Sequence, residues 1–247
     1  MSEANSLSTV IAHNAVCVPL LAMWDCAKNN VPSLDWTPPL FRRRLSVISK
    51  LTIEVVHELL ALAKAAHYGK ADNRIDNRKI VFASRYGEVS AQYKINAMLC
   101  KTAEYADADG SLTPAVFSHS VSNTPPALAT IANDMRAGYS AIYARNFRTA
   151  LLAAMAPVLA GEEERIIFVW AHEKPQTEYA TLALPCDDAN SESFAFAALL
   201  ASAKSMAHNG ENVYMLKTDS LSETPREFAA SVFASEKLLC ETRQNDE

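Results

Sequence analysis

Glycine is scarce in this chain. Six glycines in 247 residues exclude G-x-G-x-x-G and Walker-type phosphate loops, which need glycine at several fixed positions. Paired cysteines are missing too. The five present, Cys17, Cys26, Cys100, Cys186 and Cys240, are odd in number, scattered and never spaced C-x-x-C. They read as free thiols in a reducing compartment rather than as a disulfide framework. The longest apolar run, Ala15 to Trp24, has ten residues and contains Pro19, whereas a membrane-spanning helix needs about 20. Positive charge is not in excess: the net charge is −5, which gives no basic field for nucleic acid or an anionic membrane. The opening residues, Met-Ser-Glu-Ala-Asn-Ser, lack a basic stretch. No secretory signal is therefore expected, and the cytoplasm is the expected location. Nothing in the composition asks for a metal or a cofactor.

What is present is apolar: 49% of the residues are hydrophobic, enough for one substantial core. Leu45, Ile48, Leu51, Val55, Leu59 and Leu62 recur at three- and four-residue steps and predict a long amphipathic helix ending near Gly69. Residues 20–28 also read as helical. Short apolar runs at 79–84, 138–144, 165–171, 178–184 and 212–217 predict strands. Helices are expected at 88–104, 127–135, 146–160, 191–208 and 225–240, with Thr124 as N-cap and Pro125 at the first helical position of the second of these. Strands alternating with helices indicate an α/β fold with a mixed sheet and helices on both faces.

Four segments carry a resemblance: "RRRLSVISKLTIEVV" (42–56), "VFASRYGEV" (81–89), "LTPAVFSHSVSNTPPALATIA" (112–132) and "GYSAIYARNFRTALLAAMAPVLAGEEERIIFVWA" (138–171). In this order they resemble the N-terminal half of a β-ketoacyl synthase, a member of the thiolase superfamily, and in particular the short ketosynthase-like proteins of aryl polyene pigment pathways. The resemblance implies a half-thiolase fold with most of the C-terminal half missing. Residues 1–175 would be the N-terminal-half-like part, and 176–247 a remnant of the C-terminal half or a covering segment. It also implies that Phe117, Ser120, Val121 and Asn123 are scaffold near a subunit interface. The neighbouring Ser118-His119-Ser120 does not read as a nucleophile beside its base, because adjacent residues on a strand or helix do not face one another.

Ketosynthases condense acyl chains through a cysteine thiolate at a helix N-terminus, where the helix dipole lowers the thiol pKa. The matching helix is 146–160, which the resemblance makes the place to look for that cysteine. Counting back from Gly161 puts the nucleophile at Ala144, with Arg145 or Asn146 next to it. No cysteine occurs between Cys100 and Cys186, and neither alanine nor arginine can substitute for a thiol. The glycine-rich loops that carry the family's active-site histidines are also missing. None of His13, His57, His67, His119, His172 and His208 has a glycine beside it, and "VWAHE" (169–173) stands where the family has Gly-Gly before an acidic residue.

A chain that keeps the dimerisation elements without the chemistry resembles a chain-length factor, the inactive subunit paired with an active β-ketoacyl synthase. By that resemblance the strand Tyr139, Ser140, Ala141, Ile142, Tyr143 would pair with its counterpart across a dimer axis, and Phe117, Tyr139 and Tyr143 would wall an acyl tunnel. Arg42, Arg43 and Arg44 are candidates for docking an acidic acyl carrier protein, against the plainer reading of a solvated charged face. Two further readings stay open: a hydrolytic or acyl-transfer enzyme using Cys100 or His119, and a homodimeric acyl-binding module.

Overall fold

The computed structural model describes residues 15–66, 78–100, 114–175, 192–206, 214–216, 221–222 and 224–245. Six strands appear in the order β1 (Val16–Asp25), β2 (Ile80–Ser84), β3 (Tyr139–Tyr143), β4 (Arg165–His172), β5 (Phe194–Ser202) and β6 (Tyr214–Leu216). The helices are α1 (Pro39–Arg42), α2 (Val47–Ala65), α3 (Val89–Leu99), α4 (Pro114–Ser118), α5 (Thr124–Ala132), α6 (Phe147–Leu159), α7 (Ala203–Met206) and α8 (Pro225–Asn245). All six strands lie in one sheet in the order β3-β2-β4-β5-β1-β6. β3, β2 and β4 are mutually parallel, and β4, β5, β1 and β6 are joined antiparallel. The mixed sheet expected from the sequence is therefore present.

Helices cover both faces. On one, α2 and α5 pack Ile48, Leu51, Val55, Leu59 and Ala129 against Ile80, Phe82, Ile167 and Val169. Ser46 starts α2 as its N-cap, its side chain accepting from Ser49 N, which satisfies one of the helix's free N–H groups. On the other face α6 and α8 pack against Val81, Ile166, Phe168 and Phe196. Phe147 is the centre of this layer. Its ring lies 5.3 Å from Trp170, 5.5 Å from Phe228 and 6.0 Å from Phe196, in the tilted and edge-on arrangements that aromatic quadrupoles favour.

Two expected helices are strands. Residues 20–25 belong to β1. The register between β1 and β5 shifts between Cys17 and Leu20, so Val18 and Pro19 form a bulge, a place where a strand tolerates proline. Residues 194–202 form β5, which sits between β4 and β1, with Phe194 to Ala201 buried. Alanine-rich composition favours helix locally, but pairing on both sides overrides it. Phe194, Phe196, Ala198 and Leu200 face α6 and α8, while Ala195, Ala197 and Leu199 face α2. The sheet thus includes strands from both sides of residue 175, and α8 buries Phe228, Ala229 and Val232 against it. The strand expected at 178–184 lies outside the described residues.

α5 begins at Thr124 rather than 127, with Asn123 as N-cap and prolines in its first turn. Thr124 instead donates its hydroxyl to the Ser118 carbonyl at 2.8 Å. The residues of α6 are apolar nearly all round the helix. One face is buried through Phe147, Ala150, Leu151, Ala154, Met155 and Val158, while Leu152, Ala153 and Ala156 are exposed.

Candidate functional site

The three parallel strands end together. Ser84 of β2 is in register with Tyr143 of β3, and Ala83 with Trp170 of β4. The carboxyl ends of such strands are where open α/β sheets place ligands. Here β2 releases Arg85, Tyr86, Gly87 and Glu88; β3 releases Ala144, Arg145 and Asn146; and β4 ends at His172 followed by Glu173.

Ala144 is 3% exposed and its N–H donates to Ser84 O at 3.1 Å. Arg145 and Asn146 are exposed. Asn146 is the N-cap of α6, its Oδ1 accepting from Thr149 N at 2.9 Å. The end of α6 that would stabilise an anion is therefore partly satisfied by the chain's own side chain. Arg85 Nε donates to Arg145 O at 2.9 Å, tying the β2 end to the head of α6. None of the three positions where the resemblance puts the nucleophile offers a thiol or a hydroxyl.

Beside this row lie two buried carboxylates that sequence reasoning missed as a pair. Glu88 is fully buried and accepts from Ser49 Oγ at 2.6 Å. Glu173 is 3% exposed and accepts from Ser90 Oγ at 2.9 Å. Burial pushes both up from the usual carboxylate range; the charge of Glu88 adds to the effect on Glu173, which is raised to about 7. His172 is buried next to them, tilted against Tyr86 and Phe194. An acidic residue closing an otherwise apolar strand, as in "VWAHE", was the readable signal for Glu173.

The residues expected at an interface fall on neighbouring elements. Among the described residues β3 is an edge strand, paired on one side with β2. Gly138 O accepts from Ile80 N, and Ala144 N donates to Ser84 O. Backbone groups of successive strand residues point to opposite sides. Ser140 and Ile142 therefore turn their backbone groups toward β2, and those of Ala141 and Tyr143 point to the free edge. Tyr139 and Ala141 pack toward α2 and α5, Ile142 packs toward α6, and Tyr143 is 69% exposed. Phe117 at the end of α4 is 59% exposed, and Val121 and Asn123 are exposed as well. Ser120 is buried, its N–H and hydroxyl donating to Phe117 O; the hydroxyl is thus engaged away from His119. Gln92 Nε2 donates to Ser120 O at 3.4 Å, which holds this turn beside α3.

The arginine run begins at the end of α1. Arg42 ends α1 and Arg43 is its C-cap, where cations are favourable. Arg42 is paired with Asp35 at 2.6 Å, whereas Arg43 and Arg44 are exposed. Cys100 is the C-cap of α3, at the end of the helix that disfavours a thiolate.

A family model described as Beta-ketoacyl synthase, N-terminal domain, matches residues 21–244. The chain belongs to that family. The match takes in β5 and nearly all of α8 as well as the strand ends described above. Among solved structures, this ketosynthase-family chain is similar to a ketosynthase (ApeO) in complex with its chain length factor (ApeC) from Xenorhabdus doucetiae, at 20% identity and a TM-score of 0.55, covering 76% of this chain and 79% of that one. It is similar to a β-ketoacyl synthase from Burkholderia phymatum at 14% identity and a TM-score of 0.51, covering 85% of this chain and 58% of that one. It is also similar to the ishigamide ketosynthase/chain length factor at 11% identity and a TM-score of 0.51, covering 77% and 63%. The chain thus spans less than two thirds of the last two, and at these identities the likeness speaks for the fold. No curated protein matches. No helix among the described residues is long and apolar enough to cross a membrane.

Proposed function

We propose that this chain is a non-catalytic, chain-length-factor-like subunit that forms a heterodimer with an active β-ketoacyl synthase in type II fatty-acid or polyketide biosynthesis, of the aryl polyene kind that the sequence resembles. The observation that carries this reading is the head of α6. Where a ketosynthase presents a thiolate, this chain has buried Ala144, then Arg145, then Asn146 capping the helix with its own side chain. Next to it, among the described residues, β3 is paired along one side only, and such an edge takes up another strand readily. The chain would complete the ketosynthase's dimer and stabilise it by mass action. Phe117, Tyr139 and Tyr143 are the candidates for contact with the partner or its acyl tunnel. Of the arginine run, Arg43 and Arg44 are left exposed for an acidic carrier protein.

The test is acyl loading. The chain is co-expressed with a full-length ketosynthase from its own organism, incubated with acyl carrier protein bearing a labelled acyl group, and both subunits are weighed by mass spectrometry. Acyl mass is expected on the ketosynthase alone, with condensation depending on the presence of this chain. An acyl adduct on this chain would overturn the reading.

A further inference from the structure

The turn ahead of α1 is fixed at several points. Leu34 sits at φ 54°, in the left-handed region that a leucine seldom adopts and keeps only where its surroundings hold it there. Its side chain is buried. Its carbonyl accepts from Thr37 N at 2.9 Å, Thr37 Oγ1 at 2.8 Å and Arg42 Nη1 at 3.4 Å. The same Nη1 pairs with Asp35 at 2.6 Å, so the end of α1 is folded back onto the turn.

Trp36 ties this turn to the helices. Its Nε1 donates to Glu54 Oε2 of α2 at 3.1 Å. Its ring lies nearly flat on that of His57, with centroids 3.9 Å apart and planes 17° from parallel. His57 is held in turn by α5. Asn133, the C-cap of that helix, donates Nδ2 to Ala129 O at 3.0 Å, which leaves its Oδ1 for His57 Nδ1 at 3.2 Å. An amide oxygen only accepts, so Nδ1 of His57 carries the proton. One chain of contacts therefore runs from α5 through His57 and Trp36 to the turn, and from the turn to Arg42. An arginine run that did no more than solvate a surface would need no such bracing.

We infer that Trp36 and His57 are positioning residues for an acidic partner: they brace the turn 33–37 so that the arginine run leaves it in a fixed place. This rests on the reading above, in which an acidic carrier protein meets this chain. Asp35 matches the charge of Arg42, so the charge offered outward is that of Arg43 and Arg44, both exposed. Two adjacent cations suit an acidic surface. Fixing them beforehand lowers the ordering cost of binding.

The experiment titrates fluorescently labelled acyl carrier protein with the full chain, in whatever assembly co-expression with its ketosynthase yields, at about 50 mM and about 300 mM salt. Reversing both exposed cations, Arg43→Glu with Arg44→Glu, should weaken binding about tenfold or more at the lower salt. Trp36→Ala and His57→Ala should each weaken it about threefold or more, with a loss that shrinks at the higher salt. Trp36→Phe, which can still stack on His57, should recover most of the affinity. If the alanine variants do not fold by circular dichroism, His57→Gln takes their place, since it loses the stack and keeps a donor for Asn133. Charge reversal that weakens binding while the Trp36 and His57 variants bind as wild type would overturn this inference and leave carrier docking standing. A loss of equal size at both salts would overturn it too. If charge reversal has no effect, the docking reading falls and this inference with it.

Discussion

Arg85 and Arg145 are joined by a hydrogen bond in which the guanidinium Nε of one donates to the backbone carbonyl of the other at 2.9 Å. The bond crosses from the end of β2 to the residue after Ala144, so it fixes the path of the chain from β3 into α6. Arg85→Ala should lower stability by about 0.5–1.5 kcal/mol, the ordinary net worth of such a bond. Arg85→Lys should recover only part of that, because a flexible ammonium replaces a planar donor. Urea denaturation of the three proteins checks both expectations.

Asp25 and Arg226 give a second, pH-dependent expectation. Burial alone would raise the Asp25 carboxyl, but the hydrogen bond and charge of Arg226, with the N–H of Ala27, outweigh it and hold the group below its usual range. Arg226 also donates to Glu192 O at 3.2 Å and lies 4.2 Å from the Phe194 ring centroid, so it closes the end of β5 onto α8. The folded-state proton affinity is lowered, so the stabilisation is present above the unfolded aspartate pKa and fades as pH falls through the lower folded value. Arg226→Ala should cost about 1–3 kcal/mol at neutral pH, after allowing for the partial exposure of the arginine. The difference from wild type should shrink in acid, as denaturation at pH 7 and about pH 3 would show.

Much of this architecture could be read from residue pattern. The three- and four-residue stripe from Ile48 to Leu59 became α2, and "KIVFAS" and "RIIFVWA" became β2 and β4. Errors came where tertiary pairing overrode local preference. β5 looks helical because it is rich in alanine, yet its alternation of Phe194 and Phe196 with Ala195 and Ala197 is the two-residue period of a strand. β1 was obscured by Pro19, which the bulge between Cys17 and Leu20 accommodates. Around the strand ends, the place of Ala144, Arg145 and Asn146 just ahead of a helix could be read from sequence because the row is contiguous with that helix. The burial of Glu88 and Glu173 after the ends of β2 and β4 was not legible, since it depends on β4 lying beside β2. The orientation of β3 was also hidden: only its hydrogen bonds to β2 show that Ala141 and Tyr143, rather than Ile142, turn their backbone groups away from β2.

The central claim is tested most directly by the mass of the assembly. This chain and a full-length ketosynthase from the same organism are co-expressed and weighed by light scattering on a sizing column. A one-to-one complex is expected. Tyr143→Glu, which changes an exposed side chain, and Ala141→Pro, which removes a free-edge N–H, should each weaken it while leaving this chain folded by circular dichroism. A monomer or homodimer that ignores the ketosynthase, or a complex indifferent to both substitutions, would contradict the account.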